Sequence, residues 1–263
     1  KISSKNKYKE IVISAAGPVN ENKISMTNRN LEINATDLEK ELNVNECYLL
    51  NDWESIGYSL PLMTHKDFKN IKKGNIDSSQ TCLAIGPGTG LGFSVLRHIG
   101  NIPYVYPTEL GNTRSYNDHL SKLFEIKSSN NFTVLEDYLS GTGIKKIYAE
   151  KSGKNLTTEE IVSRYHEDDL ACYVLNNFVV AINNILQDLA LTFNAKGGIF
   201  FAGSLMRTIS EMNSINYIKE EFNKHSSEAH SNILKKISIK LINKEHTPLY
   251  GNLNYSVIRR LHE

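Results

Sequence analysis

The chain has 263 residues, of which 40% are hydrophobic and 22% are charged. This composition is typical of a soluble globular protein with a substantial core and about two lobes. The formal net charge is +1, so neither nucleic acid nor an anionic membrane surface is expected as a partner. The basic pairs at 72–73 and 235–236 are interpreted as solvent-facing rather than as binding patches.

The cysteines and the apolar runs indicate a cytoplasmic protein. Cys47, Cys82 and Cys172 are far apart in sequence, and no pair has metal-ligand or redox spacing, so we expect reduced thiols. The longest apolar helical pattern, over residues 170–193, is interrupted by asparagines and an aspartate and is not expected to span a bilayer. The sequence begins at Lys1 rather than at a methionine, which suggests a fragment.

The first elements predict a βαβ unit. A buried strand is expected over residues 11–15, followed by a helix with Thr36 as the N-cap of a capping box and an end near Asn43. A second apolar strand, in the segment ECYLLND, ends on Asn51 and Asp52. Strand, helix and strand in this order are typical of an α/β fold.

A change of composition divides the chain. Residues 64–80 are polar without a clear period, and we interpret them as a linker or a surface excursion near a lobe boundary. The expected division is a small lobe at 1–63, completed by a C-terminal helix at 250–263, and a large lobe at 64–249. In the large lobe, apolar residues three and four apart predict one long buried helix over 170–189.

The segment LAIGPGTGLGFSVL, residues 83–96, carries glycines at alternate positions between two apolar runs. A Walker A loop needs a lysine, and none follows Gly92; a dinucleotide loop needs a glycine where Leu91 stands, and a helix rather than a strand after it. The segment therefore predicts a hairpin whose N–H groups, with the Thr89 hydroxyl, converge on a phosphate. The alternative is a structural hairpin whose glycines supply positive φ.

Polar residues near this hairpin in the predicted fold form a second candidate group. Asp52 ends a buried strand, the position where ligands gather in α/β folds, although aspartate there is also a common turn former. With Asn51, Glu109, Asn112 and Glu136 it forms a set of donors and acceptors suited to sugar hydroxyls, provided that the fold brings them to one cleft.

At this point the chain resembles the bacterial glucokinase family, which has the two-lobed actin-like sugar kinase fold, related to ribonuclease H. The resemblance covers nearly the whole chain, because the family's motifs occur in the family's order and spacing. They are AAGPV at 15–19, MTN at 26–28, LLND at 49–52, GPGTGLG at 86–92, PTELGN at 107–112, EDYLSGTG at 136–143 and GGIFFAGSL at 197–205.

The resemblance implies transfer of a phosphoryl group from ATP, with Mg²⁺, to a hexose. It implies that Asp52 is the catalytic base and that the remaining sugar-binding positions are Asn51, Glu109, Asn112 and Glu136. It further implies a homodimer, and nucleotide-binding positions at Gly88, Thr89, Gly90 and Gly203.

Departures from the family pattern keep alternatives open. Asn112 stands where the family has a sugar-binding histidine, and Leu110 is expected to add bulk beside the sugar. The Asp-x-Gly-Gly-Thr phosphate loop that opens family members does not occur, so the N-terminal lobe is expected to be incomplete here. The favoured function is a glucokinase-like kinase that converts glucose to glucose 6-phosphate. The alternatives are a non-catalytic sugar-binding or regulatory relative and a kinase for another hexose.

Overall fold

The structure, a computed structural model, describes residues 8–26, 31–75, 77–127 and 129–261. Part of the MTN motif lies outside these residues. The strands are β1 (Glu10–Ala15), β2 (Val19–Asn20), β3 (Lys23–Met26), β4 (Leu31–Asn34), β5 (Glu46–Asn51), β6 (Phe68–Lys72), β7 (Cys82–Pro87), β8 (Leu91–Ile99), β9 (Ile102–Pro107), β10 (Gly198–Phe201) and β11 (Ile239–Ile242). The helices are α1 (Ala35–Leu42), α2 (Asp52–Ser59), α3 (Asn117–Leu123), α4 (Gly141–Ser152), α5 (Thr158–Ser163), α6 (Asp169–Thr192), α7 (Ser204–Ile209), α8 (Asn216–Glu221), α9 (Glu228–Lys236) and α10 (Thr247–Arg260).

Within the described residues the strands form three sheets. β1 and β5 pair in parallel, β2–β3–β4 form an antiparallel meander, and the largest sheet has the order β6-β11-β10-β7-β8-β9. The predicted βαβ unit is confirmed, with the meander inserted between β1 and α1. Ala15 lies opposite Asn51 in the β1–β5 register, so both strands end at one edge.

The large sheet is covered on both faces by apolar side chains. One face packs against α6, whose Val174, Phe178 and Ile182 are fully buried. The predicted long buried helix is therefore confirmed. In length and composition α6 also resembles a membrane span, with a mean hydropathy of 1.3 in its most apolar window, but 56% of that window is buried inside the protein.

The opposite face of the large sheet packs against α2, and α10 packs against α2. Asn252 of α10 donates through Nδ2 to the Val12 carbonyl and accepts a hydrogen bond from Ser55 of α2. A Cβ on Gly251 would overlap the Ser55 carbonyl, so the two helices approach closely at this glycine. The C-terminal helix begins at Thr247, earlier than expected, and contacts β1 and α2; the lobe boundaries stay a prediction.

Two sequence predictions about these elements are wrong. Asn34, not Thr36, caps α1, because its Oδ1 accepts from the Thr36 N–H at 3.0 Å while Asn34 itself keeps the extended backbone of β4. The segment at 64–80 is not simply a linker, since β6 pairs antiparallel with β11. Because β6 lies at an edge of the sheet, it keeps a polar sequence that hides the strand pattern.

Lys72 was expected to face solvent, but it is buried. Its Nζ donates to the carbonyls of Leu234 at 3.2 Å and Ile237 at 2.7 Å. These carbonyls lie at the C-terminal end of α9, where helical carbonyls lack intrahelical partners and a cation is favourable. Burial nevertheless lowers the pKa of Lys72 to about 8.

A capping box fixes the start of α2. The Asn51 side chain caps the helix, and the Glu54 carboxylate accepts a hydrogen bond from the Asn51 N–H at 3.3 Å. Burial raises the pKa of Glu54 to about 7, against the opposing effect of that hydrogen bond. The α2 start therefore contains a carboxyl group that titrates near neutral pH.

We expect Glu54→Gln to stabilise the protein at pH 8 and not at pH 5. A folded-state pKa of about 7, above the ordinary 4.5, means that protonation stabilises the fold. This contribution is complete below pH 4.5 and is lost as the pH rises through about 7. The shift of the Glu54 pKa from 4.5 to about 7 corresponds to at most about 3 kcal/mol in the free energy of unfolding. Urea unfolding of both proteins at the two pH values measures it.

Glu160 provides a matched control, because it occupies the same capping-box position in α5 with an exposed carboxylate. The Thr157 N–H bond holds its pKa below the usual range, so Glu160→Gln should lower stability at pH 8. Equal effects of the two substitutions at pH 5 and pH 8 would contradict the assignment.

Candidate active site

A cavity of about 510 Å³ lies between the start of α2 and the β7–β8 hairpin. All nine residues predicted to bind the sugar or the nucleotide line it, although they come from distant segments of the chain. They are Asn51, Asp52, Gly88, Thr89, Gly90, Glu109, Asn112, Glu136 and Gly203. The structure thus brings the polar set and the glycine hairpin to one cleft, which is the condition that the sequence left open.

Asp52 is the first residue of α2 and follows β5 directly. Its Oδ1 accepts a hydrogen bond from the Trp53 N–H at 3.0 Å. Burial raises the pKa of the Asp52 carboxyl above its ordinary value, and the hydrogen bond from Trp53 opposes this shift. Since a less solvated carboxylate is a stronger proton acceptor, Asp52 is suited to take a proton from a hydroxyl group in the cavity.

Asn51 connects the end of β5 to the start of α2 and to the turn at Gly17. Its Oδ1 accepts from the Trp53 N–H at 2.9 Å, and its Nδ2 donates to the Gly17 carbonyl at 3.0 Å. Gly17 has a φ of +138°, and a Cβ there would overlap the Ser25 carbonyl, so this turn requires glycine. The Asn51 amide has two N–H donors, which leaves one for a ligand.

The glycine segment forms the predicted hairpin, with β7 and β8 antiparallel. The idea that its glycines supply positive φ is wrong. None of the four hairpin glycines, Gly86, Gly88, Gly90 and Gly92, has a positive φ. Among the described residues, the glycines with a positive φ are Gly17, Gly100, Gly153, Gly198 and Gly203. The hairpin glycines are needed for their missing side chains instead.

Three of the four hairpin glycines lie against a side chain. A Cβ on Gly86 or on Gly92 would overlap the Trp53 indole, and one on Gly90 would lie 2.6 Å from Oε2 of Glu136. For Gly88, no heavy atom of the described residues lies within 4 Å of that position. Three glycines therefore accommodate side chains, and Gly88 leaves the backbone open to the cavity.

The start of α4 holds the tip of the hairpin. The Gly141 N–H donates to the Gly88 carbonyl and the Thr142 hydroxyl to the Thr89 carbonyl, each at 2.7 Å. The Gly88 N–H is itself bonded to the Gly90 carbonyl at 2.8 Å. This bond engages the Gly88 N–H and leaves the N–H groups of Thr89 and Gly90 as the donors of the tip that a ligand could meet.

The acidic side chains on the other wall are held by hydrogen bonds. Asn112 donates through Nδ2 to Oε2 of Glu109 at 3.1 Å, and Glu136 accepts from the Leu91 N–H at 3.2 Å. Gly111 lies so close to Glu136 that a Cβ would be 2.9 Å from its carboxylate. Leu110 packs against the core and is not among the cavity-lining residues, so the expected bulk beside the sugar is wrong.

Gly203 precedes α7 and lies beside Pro87, the last residue of β7 before the hairpin tip. It has a φ of +102°, and a Cβ on it would lie 3.6 Å from the Pro87 carbonyl. A side chain would strain the backbone there, so glycine is required by conformation rather than by space.

Sequence reasoning missed several lining residues. Trp53 follows Asp52, and Ser140, Thr142 and Lys146 lie on or before the first turns of α4. Lys146 forms an ion pair with Asp137. Burial acts to raise the pKa of Asp137, but the bonds from Lys146 and from backbone N–H groups hold it below its ordinary value. The signal for Trp53 was the glycine segment, whose Gly86 and Gly92 the indole covers.

Comparisons with known proteins identify the family. The sequence profile of the glucokinase family matches residues 1–257. The glucokinase of Saccharophagus degradans is 26% identical over 257 residues, which span 93% of this chain and 79% of that protein.

Solved structures give the same fold. A glucokinase from an Antarctic psychrotroph superposes with a TM-score of 0.76 at 22% identity, covering 93% of this chain and 79% of that one. A ROK family glucokinase from Streptomyces griseus, in complex with glucose and AMPPNP, gives 0.62 at 14% identity, covering 94% and 81%. The α/β fold of actin-like sugar kinases, predicted from the sequence, is thereby confirmed. The chain belongs to the glucokinase family of sugar kinases.

Proposed function

We propose that the protein transfers the γ-phosphoryl group of ATP to a hydroxyl of glucose, with Asp52 as the general base. One observation carries this proposal: the Asp52 carboxylate and the open hairpin tip line the same cavity of about 510 Å³. A cavity of this size is in the range that takes a small-molecule ligand.

Different residues of the cavity serve the sugar and the triphosphate. Asp52 accepts the proton of the attacking hydroxyl as the oxygen–phosphorus bond forms, and Asn51 contributes its remaining N–H to the sugar. On the opposite wall Glu109 and Glu136 accept hydrogen bonds from other sugar hydroxyls. Fixed carboxylates of this kind orient the sugar, which is the main contribution that a kinase makes besides charge stabilisation.

The hairpin serves the triphosphate. The N–H groups of Thr89 and Gly90 and the Thr89 hydroxyl donate to phosphate oxygens, and Gly88 lets the phosphate approach the backbone. Gly203 lies on the same side of the cavity, where we assign the nucleotide. The Streptomyces griseus relative holds AMPPNP and glucose together, which supports this division.

The residues present also suit a magnesium ion carried by ATP. Mg²⁺ keeps several waters and is held largely by substrate phosphates in kinases, so the triphosphate would carry the ion and the Asp52 carboxylate would stay available as the base. When bound, the ion would neutralise charge on the transferred phosphate.

A different hexose is the second candidate, and Asn112 favours it. An amide in place of the family's histidine cannot titrate, and here it is engaged with Glu109. We infer a cytoplasmic enzyme, and the homodimer stays a prediction.

Asp52→Ala should lower kcat by about 10²- to 10⁴-fold, since general-base catalysis is worth about that factor. A coupled ADP-release assay with a panel of hexoses gives the rates and the preferred sugar. Calorimetry gives the sugar affinity, which should stay within about threefold of wild type.

Asp169→Ala is the control, because Asp169 is likewise the first residue of a helix but is exposed. Unchanged turnover in Asp52→Ala would exclude Asp52 as the base. A silent assay with preserved sugar binding in the wild type would favour the non-catalytic alternative.

Asn112→Ala should raise the KM for the sugar by about fivefold and leave the KM for ATP unchanged. The substitution removes a donor that orients Glu109, and one hydrogen bond contributes about 1 kcal/mol. Initial-rate kinetics with each substrate varied in turn measure both constants. A change confined to the KM for ATP would move Asn112 out of the sugar wall.

A further inference from the structure

Trp53 connects the α2 wall of the cavity to the glycine hairpin. It is the one tryptophan in the sequence, it follows Asp52 directly, and it lines the cavity. Its indole lies across both hairpin strands: the Nε1, Cε2 and Cδ1 atoms cover Gly92, and the Cη2 and Cζ2 atoms cover Gly86. The six-membered ring thus rests on β7 and the five-membered ring on β8.

The hairpin surface beneath the indole is specific. Gly86 and Gly92 face each other in the β7–β8 register, so together they form a flat patch of bare backbone. Neither has a positive φ, so the patch is needed for contact and not for turn geometry. A methyl group at either glycine would require the indole to leave.

The main chain of Trp53 is equally engaged. Its N–H is the shared donor to Oδ1 of Asn51 at 2.9 Å and Oδ1 of Asp52 at 3.0 Å. The residue that rests on the hairpin through its side chain therefore also holds the Asp52 carboxylate through its backbone.

We propose that Trp53 is a positioning residue, whose indole on Gly86 and Gly92 sets the distance between the Asp52 carboxylate and the hairpin tip. The inference rests on the proposed function, because that distance matters only if a proton and a phosphoryl group are transferred there. Close-packed groups transmit displacements, and an error of about 1 Å in the geometry of a reaction costs about 10²-fold in rate.

The test is a cycle of Trp53→Ala, Gly92→Ala and the double variant, assayed with ATP and the best hexose. Each single variant should lower kcat by about 10²-fold while both KM values stay within about threefold, because the binding groups remain. Gly92→Ala should add no further loss to Trp53→Ala, since the methyl group then has no indole to displace. Trp53→Phe should recover most of the lost rate.

A readout without turnover accompanies the kinetics. The Trp53 emission maximum should shift to the red in Gly92→Ala, as the indole leaves its contact. Tyr106→Ala, which removes an exposed aromatic side chain from β9, is the control and should change neither rate nor emission. Circular dichroism establishes folding; if Trp53→Ala does not fold, the same cycle with Trp53→Leu, which keeps an apolar side chain but no aromatic ring, replaces it.

The outcomes separate the two proposals. A wild type that phosphorylates no hexose overturns the proposed function. An active wild type in which Trp53→Ala retains its kcat, or in which the Trp53 and Gly92 losses multiply independently, overturns the positioning role alone.

Discussion

The site depends on the contact between the first turn of α2 and the glycine hairpin. β5 ends at the edge where β1 ends, and the Asn51 amide ties that edge to the Gly17 turn. Helix α2 begins directly after β5, so the backbone of Asp52 has little conformational freedom. The Trp53 indole packs on Gly86 and Gly92 and holds the first turn of α2 against the hairpin. Because we assign the phosphate to the tip of the same hairpin, our proposal makes this one packing contact responsible for the spacing of the two ends of the site.

The electrostatics of the cavity match a neutral polar substrate beside an anionic one. Its carboxylates Asp52, Glu109 and Glu136 suit sugar hydroxyls, and Lys146, which also lines it, is paired with Asp137. For the triphosphate of the proposed reaction, the hairpin therefore offers backbone N–H groups rather than side-chain charge. This explains why the hairpin tip is braced by α4 through its carbonyls, which leaves donors of Thr89 and Gly90 for the ligand.

Much of this arrangement could be predicted from the sequence, because strong periodicity and motif order determine it. The apolar spacing in α6 is a local signal that predicts a buried helix. The Asn51–Asp52 pair at the end of β5 is another local signal, and it predicts the position of Asp52. The misses arise where two residues compete or where tertiary context decides. Asn34 and Thr36 are both good helix caps, and only the path of β4 selects Asn34.

The role of the glycines could not be read from the chain alone. Alternate glycines fit a phosphate loop, a positive-φ turn or a packing surface equally well. Only the position of Trp53 shows that Gly86 and Gly92 form a packing surface. Lys72 was misjudged for a similar reason, since its partners lie on the distant α9.

The most direct test of the account is a crystal structure of the protein with glucose and a non-hydrolysable ATP analogue. The account predicts a sugar hydroxyl within hydrogen-bond distance of the Asp52 carboxylate and the terminal phosphate against the N–H groups of Thr89 and Gly90. A sugar bound away from Asp52, or a triphosphate that does not touch the hairpin, would contradict it.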